Sequence, residues 1–218
     1  MRWTIPNILT VMRVLAAPGI GLCFLLFDRP AADWIALTLF VVAALTDYAD
    51  GWIARRFNMG SAFGKMLDPI ADKAMVIIAA AVILQLTGLT PAIMIPILWI
   101  LLREVLVSGL REFLGDVKLD VTRLAKWKTT VQMVAIAVLL GAGALATEHE
   151  SWRQALGPRL YQGLASGEIA DDIGLGRLIF FENLTFTFGV ILLWIAALLT
   201  VLSGADYLRK AMPYLEER

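Results

Sequence analysis

The sequence predicts an all-α membrane protein, a bundle of six transmembrane helices with the N- and C-termini on the cytoplasmic side. Three observations predict it. Six apolar stretches are each long enough to cross a bilayer. Of the 218 residues 59% are hydrophobic and only 17% are charged, with a mean hydropathy of +0.75; a soluble domain runs at about 45–50% apolar and about 25% charged. Finally, lysine and arginine gather on one side of the alternating connections.

The apolar stretches fall at roughly 8–27, 34–55, 65–87, 91–114, 126–146 and 184–208. At about 1.5 Å of rise per residue, each can span a hydrocarbon core of about 30 Å. The first could pass for a signal peptide. Arg13 and Pro18 lie inside it, no small-residue cleavage site stands in the usual place, and further spans follow, so it reads as a retained helix. Cys23 sits alone within it, which rules out a disulfide within the chain and a thiolate cluster and leaves a small packing residue. Segments three and four are separated by TGLTP, with Pro91 suited to a first helical turn.

Orientation follows from the basic residues. With a cytoplasmic N-terminus, that side collects fifteen of the nineteen lysines and arginines, leaving Arg29, Arg153, Arg159 and Arg177 outside. The long connection 147–183 carries six acidic residues against three basic ones and is expected as an outer-face loop insertion, with short helices lying on the membrane. Residues 1–218 otherwise read as one domain, with no internal repeat. The zero net charge says nothing about partners. Membrane lipid is the expected surrounding, and no nucleic-acid partner is expected.

The chemistry is concentrated in LTDYADGWIARRFNMGSAFGKMLDPIADK, residues 45–73. Asp47 and Asp50 are three apart and share a helix face, with Gly51, Ala54 and Arg55 continuing the stripe. Gly64, Asp68 and Asp72 recur every four residues on the next helix. Counted from the shared cytoplasmic mouth, Asp47 lies about 14 Å along its helix and Asp72 about 12 Å along the next. Two antiparallel neighbours would thus bring four carboxylates face to face. A charge at the bilayer centre costs at least about 2.5 kcal/mol, so something must neutralise them. The one histidine, His149, is in the outer connection, and Arg55, Arg56 and Lys73 sit nearer the mouth. Oxygen-only ligation suits Mg²⁺ or Mn²⁺, and four carboxylates suffice to bridge two such ions. Glycine in a helix costs about 0.8–1 kcal/mol against alanine, a cost that is intelligible where a bulky ligand approaches the backbone.

The spacing D-x₂-D-G-x₂-A-R-x₈-G-x₃-D-x₃-D is matched in full by Asp47, Asp50, Gly51, Ala54, Arg55, Gly64, Asp68 and Asp72. It resembles the signature of the CDP-alcohol phosphatidyltransferases. PNILTVMRVLAAP at 6–18, REVLVSGLRE at 103–112 and KWKTTVQM at 126–133 resemble the bacterial phosphatidylglycerophosphate synthase branch. The likeness covers about residues 5–140 well and the last helix weakly, and the 147–183 segment is longer than that branch leads one to expect.

The resemblance implies Asp47, Asp50, Asp68 and Asp72 as ligands of two divalent cations, with Asp72 also the general base. It implies that Gly51, Ala54, Arg55, Ser61 and Gly64 hold the CDP moiety, with Asn7, Ile8, Leu9 and Thr10 closing over its phosphates. The expected reaction joins CDP-diacylglycerol to glycerol 3-phosphate, giving phosphatidylglycerophosphate and CMP, in a homodimer of the bacterial inner membrane with its site facing the cytoplasm. The acceptor's phosphate needs cations, and Arg103, Arg111, Arg123, Lys126 and Lys128 are the candidates, with Arg209 a further one; the same residues also satisfy the positive-inside rule. Tyr48 and Trp52 read as interfacial belt residues, and Thr130 and Gln132 as residues able to bond neighbouring helices. Other acceptors within the family are inositol phosphate, serine or phosphatidylglycerol. A cation- or proton-coupled transporter would require acidic residues along a full path, whereas the outer halves of segments two and three are apolar.

Overall fold

The computed structural model describes residues 4–56, 61–115 and 123–216; within these, the side chains at positions 5, 50–55, 65, 123, 125, 126 and 216 lie outside the described residues. Six helices and no strand are found among the described residues: α1 Ile5–Leu26, α2 Ala31–Arg56, α3 Ala62–Thr87, α4 Pro91–Leu114, α5 Arg123–Ser166 and α6 Leu175–Glu216. All six are long and apolar enough to cross a membrane.

The helix boundaries follow local chemistry. Pro6 occupies the first turn of α1, where its missing N–H costs nothing. Ser61 caps α3 by accepting from the Gly64 N–H at 3.0 Å. Thr90 and Pro91 open α4. Pro18, Pro69, Pro96 and Pro213 lie inside helices, which membrane helices tolerate when their neighbours re-satisfy the freed carbonyls.

Packing divides the bundle into two triplets. In one, α1 lies against both α2 and α3; in the other, α6 lies against α4 and most extensively against α5. Contacts of α2 and α3 with α5 join the two. The core is built from large aliphatic and aromatic side chains such as Phe40, Met75, Ile83, Ile93, Leu139 and Leu193. Between them sit alanines at 17, 36, 43, 79, 80, 135 and 196. Within a bilayer, small residues let helix backbones approach closely, and van der Waals contact then holds them.

The fifth and sixth helices run well past their apolar stretches. The polar run from Thr147 to Leu156 stays helical, the chain bends at Gly157 (φ 73°), and helix resumes to Ser166. Glutamate, arginine, glutamine, alanine and leucine all favour helix, so falling hydropathy there marks the membrane's edge and not the helix's end. Much of the expected outer loop is therefore helix, lying in α5 and the start of α6. His149 holds the bend closed: Nδ1 is 2.6 Å from Glu182 Oε2 and Nε2 is 2.7 Å from Tyr161 Oη. Nearby, buried Asp33 accepts from Arg29, which also donates to Thr147.

Candidate active site

Three carboxylates from two helices meet one guanidinium from a third. Arg13 of α1 has a side chain only 1% exposed, whereas Asp47, Asp68 and Asp72 are 45%, 46% and 51% exposed. Arg13 Nη1 donates to Asp47 Oδ1 and, at 2.9 Å, to Asp72 Oδ1. Nη2 lies 3.6 Å from Asp68 Oδ1. The arginine sits at the closed inner side of the cluster, and the carboxylates open outward from it.

The sequence reading brought α2 and α3 together directly. Among the described residues, contact between those two helices is sparse, and α1 joins Asp47 of one to Asp68 and Asp72 of the other. Arg13 was weighed there for charge sidedness and against a cleaved leader, and its contact with the aspartates was missed. The signal was present: an arginine in the middle of an apolar helix turns to the bundle interior and finds a partner.

The face of α1 that carries Arg13 also carries Asn7 and Thr10, spaced three apart. Both are buried. Thr10 Oγ1 lies 2.7 Å from Asp68 Oδ1 and 3.0 Å from the Pro6 carbonyl, so its single proton serves one of the two at a time. Ser61 Oγ donates to Asn7 Oδ1 at 2.6 Å. Gly64 allows this approach. A Cβ there would stand 3.0 Å from Asn7 Oδ1 and 3.3 Å from Ser61 Oγ. Of the α1 residues expected near CDP, Asn7 and Thr10 thus face α3, while Ile8 is exposed and Leu9 is half-buried on other faces. Asp50, Gly51, Ala54 and Arg55 belong to the last turns of α2, but their side chains lie outside the described residues.

A second polar cluster lies among α4, α5 and α6. Lys128, 3% exposed, donates to Glu104, and Arg103 Nη1 is 3.7 Å from the same carboxylate oxygen. Arg111, itself exposed, lies over the ring of Tyr207, 5.9 Å from its centroid. Arg103 Nε, Gln132 Oε1 and Thr200 Oγ1 are buried with no hydrogen-bond partner among the described residues. Lys73 donates to Ser108 and so links α3 to α4 between the two clusters. Arg123 and Lys126 also have side chains outside the described residues. Glu104 was not singled out in the sequence, where only its neighbour Arg103 drew notice. Between α4 and α6 runs an apolar groove of about 730 Å³, walled by Trp99, Leu102, Leu106, Leu110, Phe113 and Leu208.

The donor set at the first cluster consists of hard carboxylate oxygens, which suit Mg²⁺ or Mn²⁺ in preference to softer metals. Among the described residues, no three acidic, histidine or cysteine side chains are arranged to hold an ion; the Arg13 guanidinium stands among the three aspartates. Half-exposed carboxylates drawn toward one point can turn outward to an ion with little rearrangement of the helices.

Six membrane-length helices, three of which bring a carboxylate cluster together, define an integral membrane protein with a polar site. The sequence model for CDP-alcohol phosphatidyltransferase matches residues 3–202, and the chain belongs to that family. It is 51% identical to the CDP-diacylglycerol–glycerol-3-phosphate 3-phosphatidyltransferase of Cereibacter sphaeroides, over 100% of this chain and 99% of the relative. Proteins of the same name from Rickettsia bellii and Haemophilus influenzae are 40% and 32% identical, over 96% and 97% of this chain and 96% and 95% of theirs.

Proposed function

We propose that the chain transfers the phosphatidyl group of CDP-diacylglycerol to glycerol 3-phosphate, yielding phosphatidylglycerophosphate and CMP. The observation that carries this reading is the convergence of Asp47, Asp68 and Asp72 on the Arg13 guanidinium. The relatives' shared name, at up to 51% identity over full length, supports the acceptor. The chain works as one domain over 1–218, as a homodimer in the bacterial inner membrane, with both termini and the site on the cytoplasmic side.

Asp47, Asp50, Asp68 and Asp72 would hold two divalent cations, Mg²⁺ or Mn²⁺. Bound there, such ions would neutralise the diphosphate and the charge that develops on the departing CMP. Asn7 to Thr10, Gly51, Ala54, Arg55, Ser61 and Gly64 position the CDP moiety, and the diacylglycerol tails stay in lipid. Asp72 accepts the proton from the glycerol hydroxyl. The freed oxygen attacks the lipid-bearing phosphorus, and the bond from that phosphorus to the CMP oxygen breaks. The displacement is taken as direct, without a covalent intermediate on a serine or cysteine.

Arg103, Arg111, Arg123, Lys126 and Lys128 receive the acceptor's phosphate. At the buried part of this set, two cations face the single carboxylate of Glu104, leaving net positive charge for a phosphate to satisfy.

Purified protein in detergent, supplied with CDP-diacylglycerol, Mg²⁺ and one acceptor at a time, should release CMP with glycerol 3-phosphate and stop on chelation. Release with inositol phosphate, serine or phosphatidylglycerol, and none with glycerol 3-phosphate, would overturn the substrate assignment.

A further inference from the structure

We propose that Arg13 is a built-in counter-cation of the carboxylate cluster that opposes divalent-ion entry, so that loading an ion requires its guanidinium to release Asp47 and Asp72. The inference rests on the reading of these carboxylates as metal ligands.

Three observations support it. Arg13 is 1% exposed and reaches Asp47, Asp68 and Asp72 at once, while each of them is about half-exposed. A divalent ion approaching from the open side therefore meets carboxylates whose inward oxygens are already taken. Secondly, an ion bound to those carboxylates would stand a few ångströms from a fixed positive charge with little water between them, where repulsion is only weakly screened. Thirdly, the residue is arginine. Its planar guanidinium bonds two carboxylates at once, Asp47 and Asp72 through the same nitrogen, which a lysine's single flexible ammonium is less suited to do.

The alternative role for the same contacts is scaffolding, in which Arg13 arranges the carboxylates for the ions. The two roles predict opposite signs. Removing a competitor tightens ion binding; removing a scaffold weakens it. Stability moves the same way in both cases, because either change strips a partner from buried or half-buried charges.

The test uses the full chain in detergent with Mn²⁺ alone, without nucleotide or acceptor, and reads free Mn²⁺ by electron paramagnetic resonance. Arg13→Gln should bind Mn²⁺ about tenfold tighter than the parent, a change of about 1.4 kcal/mol. Its Tm should fall without Mn²⁺ and recover more on Mn²⁺ addition than the parent's does. Arg13→Lys keeps the charge on a flexible stem and loses the fork, so it should fold more readily and bind Mn²⁺ with an affinity between the other two. Affinity equal to or weaker than the parent's in Arg13→Gln overturns the proposal. If that variant does not stay folded, the same result in Arg13→Lys overturns it. Undiminished Mn²⁺ binding by Asp68→Asn would instead overturn the metal-ligand reading itself, and the proposal with it. None of these readouts depends on the identity of the acceptor.

Discussion

Arg13 Nη1 stands 2.9 Å from Asp72 Oδ1, across 59 residues of sequence, and the same nitrogen also donates to Asp47, 34 residues away. One side chain thereby ties α1 to both helices of the acidic motif. A guanidinium buried in an apolar helix is costly unless it is paired, and half-exposed carboxylates grouped together repel one another unless a cation lies among them. Each group makes the other tenable. α1 is thus part of the cluster's construction, and its face of Asn7, Thr10 and Arg13 packs against the helices that carry the aspartates.

Asp72 is expected to be the residue whose loss separates binding from chemistry. Asp72→Asn keeps the side chain's shape and its ability to accept a bond from Arg13, but it cannot take a proton. CMP release should fall by roughly 10²- to 10⁴-fold. CDP-diacylglycerol binding, followed by protection of the protein against thermal unfolding, should fall far less. Equal loss of both would assign Asp72 to binding alone.

The positions of the six spans were legible in the sequence because apolar runs depend on local spacing alone, and the step of four from Asp68 to Asp72 placed both on one face of α3, where they meet Arg13; Asp50 of the other stripe lies outside the described residues. What was not legible depends on pairing across the chain. The sequence displays Arg13, Asp72, Lys128 and Glu104, but not that Arg13 pairs with Asp72 or Lys128 with Glu104. Their partners are set by helix packing that no local pattern encodes. The extents of α5 and α6 escaped for a different reason. Hydropathy reports where a helix leaves oil, and the Thr147–Leu156 run is polar yet strongly helix-forming.

Gly64→Ala should impair lipid-nucleotide binding with little effect on stability. The added methyl would press on Asn7 Oδ1 at 3.0 Å and Ser61 Oγ at 3.3 Å, and so move α1 at the residues placed around the CDP moiety. Against that crowding, alanine favours the helix by about 0.8–1 kcal/mol, so Tm should shift little. The KM for CDP-diacylglycerol should rise about tenfold, equivalent to about 1.4 kcal/mol. Kinetics at saturating glycerol 3-phosphate would measure it, and an unchanged KM would remove Gly64 from the site.

Lys128 and Glu104 should act in opposite directions on the acceptor. Breaking either side of a buried pair destabilises a protein by about 3–5 kcal/mol, so Lys128→Met and Glu104→Gln should both lower Tm. Lys128→Met removes a cation from the phosphate's surroundings and should raise the KM for glycerol 3-phosphate. Glu104→Gln removes the anion that Lys128 and Arg103 share and should lower it. A merely structural pair would move both KM values the same way, so the two titrations decide between these roles.

The last expectation concerns the turn before α6 and pH. Asp171 lies in the turn before α6 and accepts from the backbone N–H groups of Gly174 and Leu175 through Oδ1 and of Gly176 through Oδ2, at 2.8–2.9 Å. These bonds, that from Gly176 foremost, hold its carboxyl below the usual carboxylate range despite full exposure to solvent. A carboxyl with a lowered folded-state pKa stabilises the fold fully above the unfolded-state value and loses that contribution as pH falls through the folded-state value. The start of α6 should therefore stay protected against amide exchange at neutral pH and through the ordinary carboxylate range, then loosen at more acid pH. Hydrogen exchange at residues 174–176, corrected for the intrinsic pH dependence of exchange, would follow this. Asp171→Asn retains an accepting oxygen but no charge, so its protection should be lower at neutral pH and flat across the acid range. An acid transition that persists in Asp171→Asn would place the titrating group elsewhere.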